Sequence, residues 1–203
     1  MKSLAPFYPV VPDAAWVERL VGAGARLIQL RVKDQPIEVV QAAVRQARDR
    51  CRAADATLVV NDYWDVALEE GCTFVHLGQE DLETAELGRL RAAGIRFGIS
   101  THSDAELRRA LEADPDYVAL GPIYPTTLKQ MPWAPQGLQR IAEWRRRIGA
   151  RPLVAIGGIT AETAPLCLAA GADCVAVVGD IVRHADPEGR AREWLRVTGG
   201  SDG

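Results

Sequence analysis

The chain lacks the marks of several broad functional classes. Its four cysteines, Cys51, Cys72, Cys167 and Cys174, form no Cys-x-x-Cys pair, and His102 and His184 are not close to them in sequence. That spacing argues against a zinc site and reads as small apolar core residues kept as thiols. Neither sign of charge dominates: 203 residues carry a formal net charge of −3, and the pI is near 5.7. Nucleic-acid binding and attachment to an anionic membrane are therefore not expected. No apolar run is long enough to span a bilayer. The opening residues, Met1 to Pro6, lead into a strand-like run without a signal-peptide core, which makes a cytoplasmic location the expectation. Linkers and low-complexity segments are missing too, and no serine or cysteine stands where it would form a triad with His102.

What is present is a regular alternation. Short β-rich runs fall at 6–11, 26–33, 57–62, 74–78, 96–101, 117–122, 153–158 and 174–179. Between them lie segments rich in Ala, Leu, Glu and Arg, clearest at 37–54, 83–93, 104–113 and 138–148. Gly24, Gly71, Gly94, Gly149 and Gly171 mark helix ends. Parallel crossover units repeated in this way predict an α/β fold, a single (β/α)8 TIM barrel over 1–203 with 198–203 as a flexible tail. A doubly wound open sheet is the other solution, and the even spacing through the last strand favours closure.

Polar residues gather at the C-terminal ends of the strand-like runs, and a barrel brings those ends to one mouth. In the second run, alternation turns Ile28, Leu30 and Val32 toward the helices and Gln29, Arg31 and Lys33 toward the mouth. Two cations on a semi-enclosed face call for an anion such as a phosphate, or for ion pairs from Arg31 to Asp62 or Glu80. Asp62 and Asp81 end neighbouring runs. Beside the basic strand they suit Mg²⁺ held between protein and diphosphate oxygens; singly, each is a helix N-cap candidate. Asn61 reads as a substrate contact or as a partner for local backbone. Ser100 and Thr101 are pocket residues or caps, and Gln79 and Glu80 complete the polar tips.

The longest connection, 124–136, carries three prolines, Thr126, Thr127, Lys129, Met131 and Trp133. It reads as a lid whose hydroxyls and ammonium close over phosphate oxygens, or as a surface excursion with a solvated lysine. Ala155 to Thr160 contains Gly157-Gly158 and opens toward a helix, and Cys174 to Asp180 ends in a similar glycine turn. Both suit phosphate binding after strands seven and eight, or turns alone. His76, between Val75 and Leu77, reads as a hydrogen-bonded barrel residue rather than a base.

Six segments in register resemble the thiamine phosphate synthase family: QLRVKD (29–34), VVNDYWDVA (59–67), VHLGQEDL (75–82), GISTH (98–102), GPIYPTTLK (121–129) and AIGGIT (155–160). The resemblance implies a transferase that joins 4-amino-5-hydroxymethyl-2-methylpyrimidine diphosphate to a thiazole phosphate, releasing pyrophosphate through a dissociative pyrimidine cation. It further implies that Gln29, Leu30, Arg31, Val32, Lys33, Asn61, Ser100 and Lys129 bind the pyrimidine diphosphate. Asp62 and Asp81 bind Mg²⁺ on this view, and Thr126, Thr127, Leu128, Gly158, Val178 and Gly179 bind the thiazole phosphate. Arg31, Lys33 and Lys129 stabilise the departing charge. Its partners are small molecules, and a homo-oligomer stays open. The chain has Leu128 where the family commonly has a second threonine, and Gly179 where it often has serine. A thiazole tautomerase is the nearest rival, but that family carries a histidine where Pro122 stands; a non-catalytic phosphate-binding barrel is another.

Overall fold

The computed structural model describes residues 4–126 and 133–199. Eight parallel strands close into a barrel in sequence order, and the last pairs with the first. They are β1 (Phe7–Val11), β2 (Leu27–Leu30), β3 (Thr57–Asn61), β4 (Phe74–Leu77), β5 (Arg96–Thr101), β6 (Tyr117–Leu120), β7 (Leu153–Ile156) and β8 (Cys174–Val177). All eight expected runs are strands, and the open sheet is excluded. Most are shorter than expected because the ladder ends before several of the polar tips, such as Arg31, Lys33 and Asp62, which lie in the loops above it. The intervening helices are α1 (Ala14–Gly22), α2 (Ile37–Ala53), α3 (Trp64–Glu69), α4 (Leu87–Ala92), α5 (Asp104–Glu112), α6 (Gly137–Ile148), α7 (Ala164–Ala169), α8 (Gly179–Val182) and α9 (Pro187–Thr198). A 3-10 turn, Asp81–Glu83, follows β4.

Strand alternation divides the core in two. Tyr8, Val10, Leu27, Val59, Phe74, Tyr117, Ala119, Val154, Cys174 and Ala176 fill the barrel interior. Their neighbours in sequence, such as Ile28, Leu30, Val60, Val75, Ile99 and Val175, face outward onto Val17, Leu20, Val44, Trp144 and Trp194 of the helices. The interior is tight. A β-carbon on Gly98 would lie 2.0 Å from Cζ of Tyr117, so the glycine exists to admit that ring. The four cysteines are free and buried.

The lower rim, where helices return to strands, is laced by arginines. Arg91 donates to the carbonyls of Ala113 (2.5 Å) and Asp114 (3.0 Å). Arg145 donates to the Gly149 carbonyl (2.5 Å) and the Asp173 carboxylate (2.5 Å), and Arg151 to the Pro115 carbonyl (2.6 Å). These guanidinium groups satisfy carbonyls that helix ends leave without intrahelical partners. After α2 and α5 the left-handed turn residue is aspartate, Asp55 (φ 50°) and Asp114 (φ 51°), which tolerates that conformation better than most residues with a β-carbon. At the other end of the chain, α9 runs one residue into the expected tail: Thr198 is buried, with its hydroxyl donating to the Trp194 carbonyl (2.7 Å). Among the described residues no helix is long and apolar enough to cross a membrane.

Candidate active site

The upper mouth gathers the tips of β2 to β5 on one side and of β6 to β8 on the other. From β2, Gln29 points inward and its Nε2 donates to the Tyr8 hydroxyl (2.8 Å). Leu30 and Val32 are buried against the helices, so only their backbone faces the mouth. Arg31 is half-buried and makes no ion pair among the described residues. It is Lys33, rather than Arg31, that pairs with Asp62. The reason lies in the backbone. Asp62 adopts φ 64° directly after β3, and its N–H donates to the His76 carbonyl (2.9 Å). This left-handed step turns the chain sharply and leaves the carboxylate free for Lys33.

Neither aspartate caps a helix. The residue ahead of α3 is Tyr63, which makes no side-chain cap. Asp81 begins the 3-10 turn, and its carboxylate accepts from the Gly78 N–H (2.7 Å). Burial raises the Asp81 pKa, the Gly78 hydrogen bond opposes the rise, and the nearby Asp62 carboxylate adds to it. Two carboxyl groups this close favour a shared proton or a cation between them. No group of three or more His, Cys, Asp or Glu side chains among the described residues could hold a metal ion. A paired-carboxylate site fits Mg²⁺ nonetheless, because that ion uses one or two carboxylates together with waters and substrate phosphates.

Further in, Asn61 is 5% exposed and its Nδ2 is buried without a partner among the described residues. Gln79 donates from Nε2 to the Ser100 carbonyl (2.7 Å), which leaves its Oε1 buried and unpartnered. The mouth thus presents an orphan donor and an orphan acceptor. Gln79 stood among the polar tips, but its sequence position alone did not single it out. Ser100 is not a cap: its hydroxyl meets His76 Nε2 (2.8 Å), while Ser103 caps α5. Thr101 points outward, donating to the Ala119 carbonyl (2.8 Å) and accepting from Trp144 Nε1 (2.9 Å). His76 is a barrel residue, with Nδ1 2.6 Å from the Tyr117 hydroxyl. Burial lowers its pKa to about 4, so it is neutral near pH 7.

The opposite side is built from backbone. Ile123 N–H donates to the Ile156 carbonyl (3.0 Å), and Tyr124 N–H to the Gly157 carbonyl (2.9 Å). The 121–126 loop is thereby zipped onto 156–158. A β-carbon at Gly158 would fall 2.5 Å from the Pro125 carbonyl oxygen, so the glycine pair seats this loop as well as bordering the mouth. A concavity of about 40 Å³ lies against Gly157, Gly158, Val178 and Gly179. At that size it takes about three waters, or a group of similar bulk. The glycine loop does not open directly into a helix: Thr160 N–H donates to Thr163 Oγ1 (2.9 Å), and α7 begins at Ala164. Thr126 is half-exposed beside this region. Thr127, Leu128, Lys129 and Met131 lie outside the described residues. Trp133, after them, stacks on His102 with ring centroids 5.6 Å apart.

One cluster had no signal in the sequence. Asp180 accepts from Ala161 N–H (3.2 Å), Trp194 Nε1 (2.7 Å) and Arg190 Nε (2.9 Å). Arg190 also pairs with Glu162 and Glu193. A single carboxylate therefore ties the loop after β7, the turn after β8 and α9 together.

A family model described as thiamine monophosphate synthase matches residues 8–181, from β1 into α8 and so across every strand tip of this mouth. The chain belongs to the thiamine monophosphate synthase family. Within the family, a thiamine-phosphate synthase from Rhizobium etli is 58% identical over 195 residues, covering 96% of each chain. One from Salmonella newport is 49% identical, covering 96% of this chain and 92% of its own. A solved thiamine phosphate pyrophosphorylase from Pyrococcus furiosus superposes with a TM-score of 0.84 at 26% identity, over 97% of this chain and 96% of that one. The family match stops short of α9, whose Arg190 and Trp194 nevertheless hold Asp180 in place.

Proposed function

We propose that this chain is a thiamine-phosphate synthase. It joins the pyrimidine diphosphate to the thiazole phosphate and releases pyrophosphate. The observation that carries the reading is Arg31, half-buried and without an ion pair among the described residues, at the same mouth as Lys33, Asp62, Asp81, Asn61 and Ser100. A guanidinium there is suited to a bidentate anion.

The chemistry asks little of acids and bases. The C–O bond to the diphosphate breaks, its electron pair leaves with the diphosphate, and the carbon becomes a cation delocalised into the aminopyrimidine ring. The thiazole nitrogen then donates its lone pair to that carbon, forming the C–N bond. Arg31, Lys33 and Lys129 bind the diphosphate and stabilise the charge it gains. Asp62 and Asp81 would hold Mg²⁺, which when bound neutralises diphosphate charge. Asn61 donates its free amide hydrogen to the same substrate, with Gln29, Ser100 and the backbone at Leu30 and Val32 completing that side. Thr126, Thr127, Leu128 and the backbone at Gly158, Val178 and Gly179 take the thiazole phosphate. Catalysis rests on positioning and charge stabilisation, in keeping with a His76 whose two ring nitrogens are both engaged within the barrel. The tautomerase reading needs a histidine at the position of Pro122.

Incubation with both substrates and Mg²⁺, followed by chromatography, tests this. Thiamine phosphate and pyrophosphate are expected in equal amounts. Both substrates recovered unchanged at saturating concentration would leave only a phosphate-binding barrel.

A further inference from the structure

A continuous line of hydrogen bonds crosses the barrel interior. Gln29 Nε2 donates to the Tyr8 hydroxyl (2.8 Å), which lies 3.1 Å from the Tyr117 hydroxyl. Tyr117 lies 2.6 Å from His76 Nδ1, and His76 Nε2 lies 2.8 Å from Ser100 Oγ. Tyr8 and Tyr117 are each 1% exposed or less, and His76 is 8% exposed. Ser100, at the far end, is half-exposed at the mouth.

Counting hydrogens gives this line a direction. Each phenol has one hydrogen, and a neutral imidazole has one N–H. If Ser100 donated to His76, then His76 Nδ1–H would donate to Tyr117 and Tyr117 to Tyr8. The Tyr8 oxygen would then accept from both Gln29 and Tyr117, and its own buried hydrogen would have no acceptor on the line. A buried donor left unmade is costly. The opposite sense uses every hydrogen. Gln29 donates to Tyr8, Tyr8 to Tyr117, Tyr117 to His76 Nδ1, and His76 Nε2–H to Ser100. The one hydrogen left over is that of the Ser100 hydroxyl, which is released toward the mouth. The barrel makes room for this line at Gly98, whose missing side chain is where the Tyr117 ring sits.

We propose that Tyr117 is a positioning residue: acting through His76, it holds the Ser100 hydroxyl as a hydrogen-bond donor to an acceptor atom of the pyrimidine diphosphate. The inference rests on the functional reading above. Tyr117 itself touches no substrate. It selects the Nε2–H tautomer of His76, and that tautomer decides whether Ser100 gives or takes a hydrogen.

Two measurements test it. The first is ¹⁵N NMR of the imidazole nitrogens, with H76Q identifying the His76 signals. The wild-type protein is expected to show His76 as Nε2–H, and Tyr117→Phe a mixture of tautomers. An Nδ1–H tautomer in the wild type would reverse the line and overturn the proposal without any variant having to fold. The second is calorimetric affinity for the pyrimidine diphosphate alone. Tyr117→Phe should weaken it about fivefold, the range of one neutral hydrogen bond, but add no further loss in a Ser100→Ala background. The KM for thiazole phosphate should stay within about twofold, since a local hydrogen bond does not couple distant contacts. Equal losses from Tyr117→Phe with and without Ser100 would overturn the proposal. If the NMR and affinity results hold while no thiamine phosphate forms, the synthase reading falls and the positioning role stands. If turnover occurs but the losses add, the reverse is true.

Discussion

Removing the Asp180 carboxylate should loosen one side of the mouth and leave the other intact. Asp180 and Arg190 are 15% and 10% exposed in their side chains, so their pairing is largely shielded from water. Asp180→Ala deletes two bonds from Arg190, at 2.9 and 3.0 Å, one from Trp194 Nε1 at 2.7 Å and one from the Ala161 N–H at 3.2 Å. Breaking a buried pair costs about 3–5 kcal/mol. Arg190 keeps Glu162 and Glu193, so the loss falls to about 2–4 kcal/mol, carried mostly by the orphaned Trp194 and Ala161 donors. For a domain of this length that lowers Tm by about 5–15 °C. Asp180→Asn keeps one acceptor oxygen and should lose about half as much. The functional signature is asymmetric. Asp180 follows Gly179 and holds the loop that begins at Gly157, so the KM for thiazole phosphate should rise at least about threefold, as expected for losing a fraction of one hydrogen bond. The KM for the pyrimidine diphosphate should stay within about twofold. Thermal melts and steady-state kinetics with each substrate varied in turn read both quantities. A Tm drop under about 2 °C, or a parallel rise in both KM values, would refute the reasoning.

Three further outcomes are expected. Asp81→Asn keeps an acceptor for the Gly78 N–H but removes a charge, so the Mg²⁺ concentration for half-maximal rate should rise at least about tenfold with little change in Tm; a fall in Tm with unchanged Mg²⁺ dependence would make Asp81 a turn-holder only. Arg31→Ala breaks no ion pair among the described residues, so it should leave stability nearly unchanged while kcat/KM for the pyrimidine diphosphate drops at least about a hundredfold; a large loss of stability would place Arg31 in the scaffold. Gly98→Ala puts a methyl group 2.0 Å from Tyr117, so overpacking and displaced hydrogen bonds should cost about 3–5 kcal/mol in a denaturant melt, and a wild-type midpoint would show that the ring has room to retreat.

The barrel was legible because alternation and turn residues agree along the chain. Leu27 and Gln29 face in while Ile28 and Leu30 face out, and the same reading works strand after strand. Turns were legible where glycine marks them and not at Asp55 or Asp114, where aspartate takes the left-handed position. The cluster of candidate residues at the mouth follows from parallel strands, whose C-terminal ends share one side. Its internal pairing does not. Lys33 reaches Asp62 because Asp62 itself adopts a left-handed conformation, which nothing in the pattern requires. Tyr8 and Tyr117 are 109 residues apart and look like ordinary core aromatics until the barrel closes. Asp180 and Arg190 belong to different elements, and their contact depends on how α9 docks.

The arginines of the lower rim have a practical consequence. Guanidinium groups stay charged across the usable pH range, so the clasps at Arg91, Arg145 and Arg151 hold the closed end while conditions change at the open one. Chemistry and clasp are segregated to opposite poles of the molecule. That end therefore offers ground for tethering to a support, for attaching a second enzyme, or for engineering heat tolerance, with the path for incoming reagents left clear.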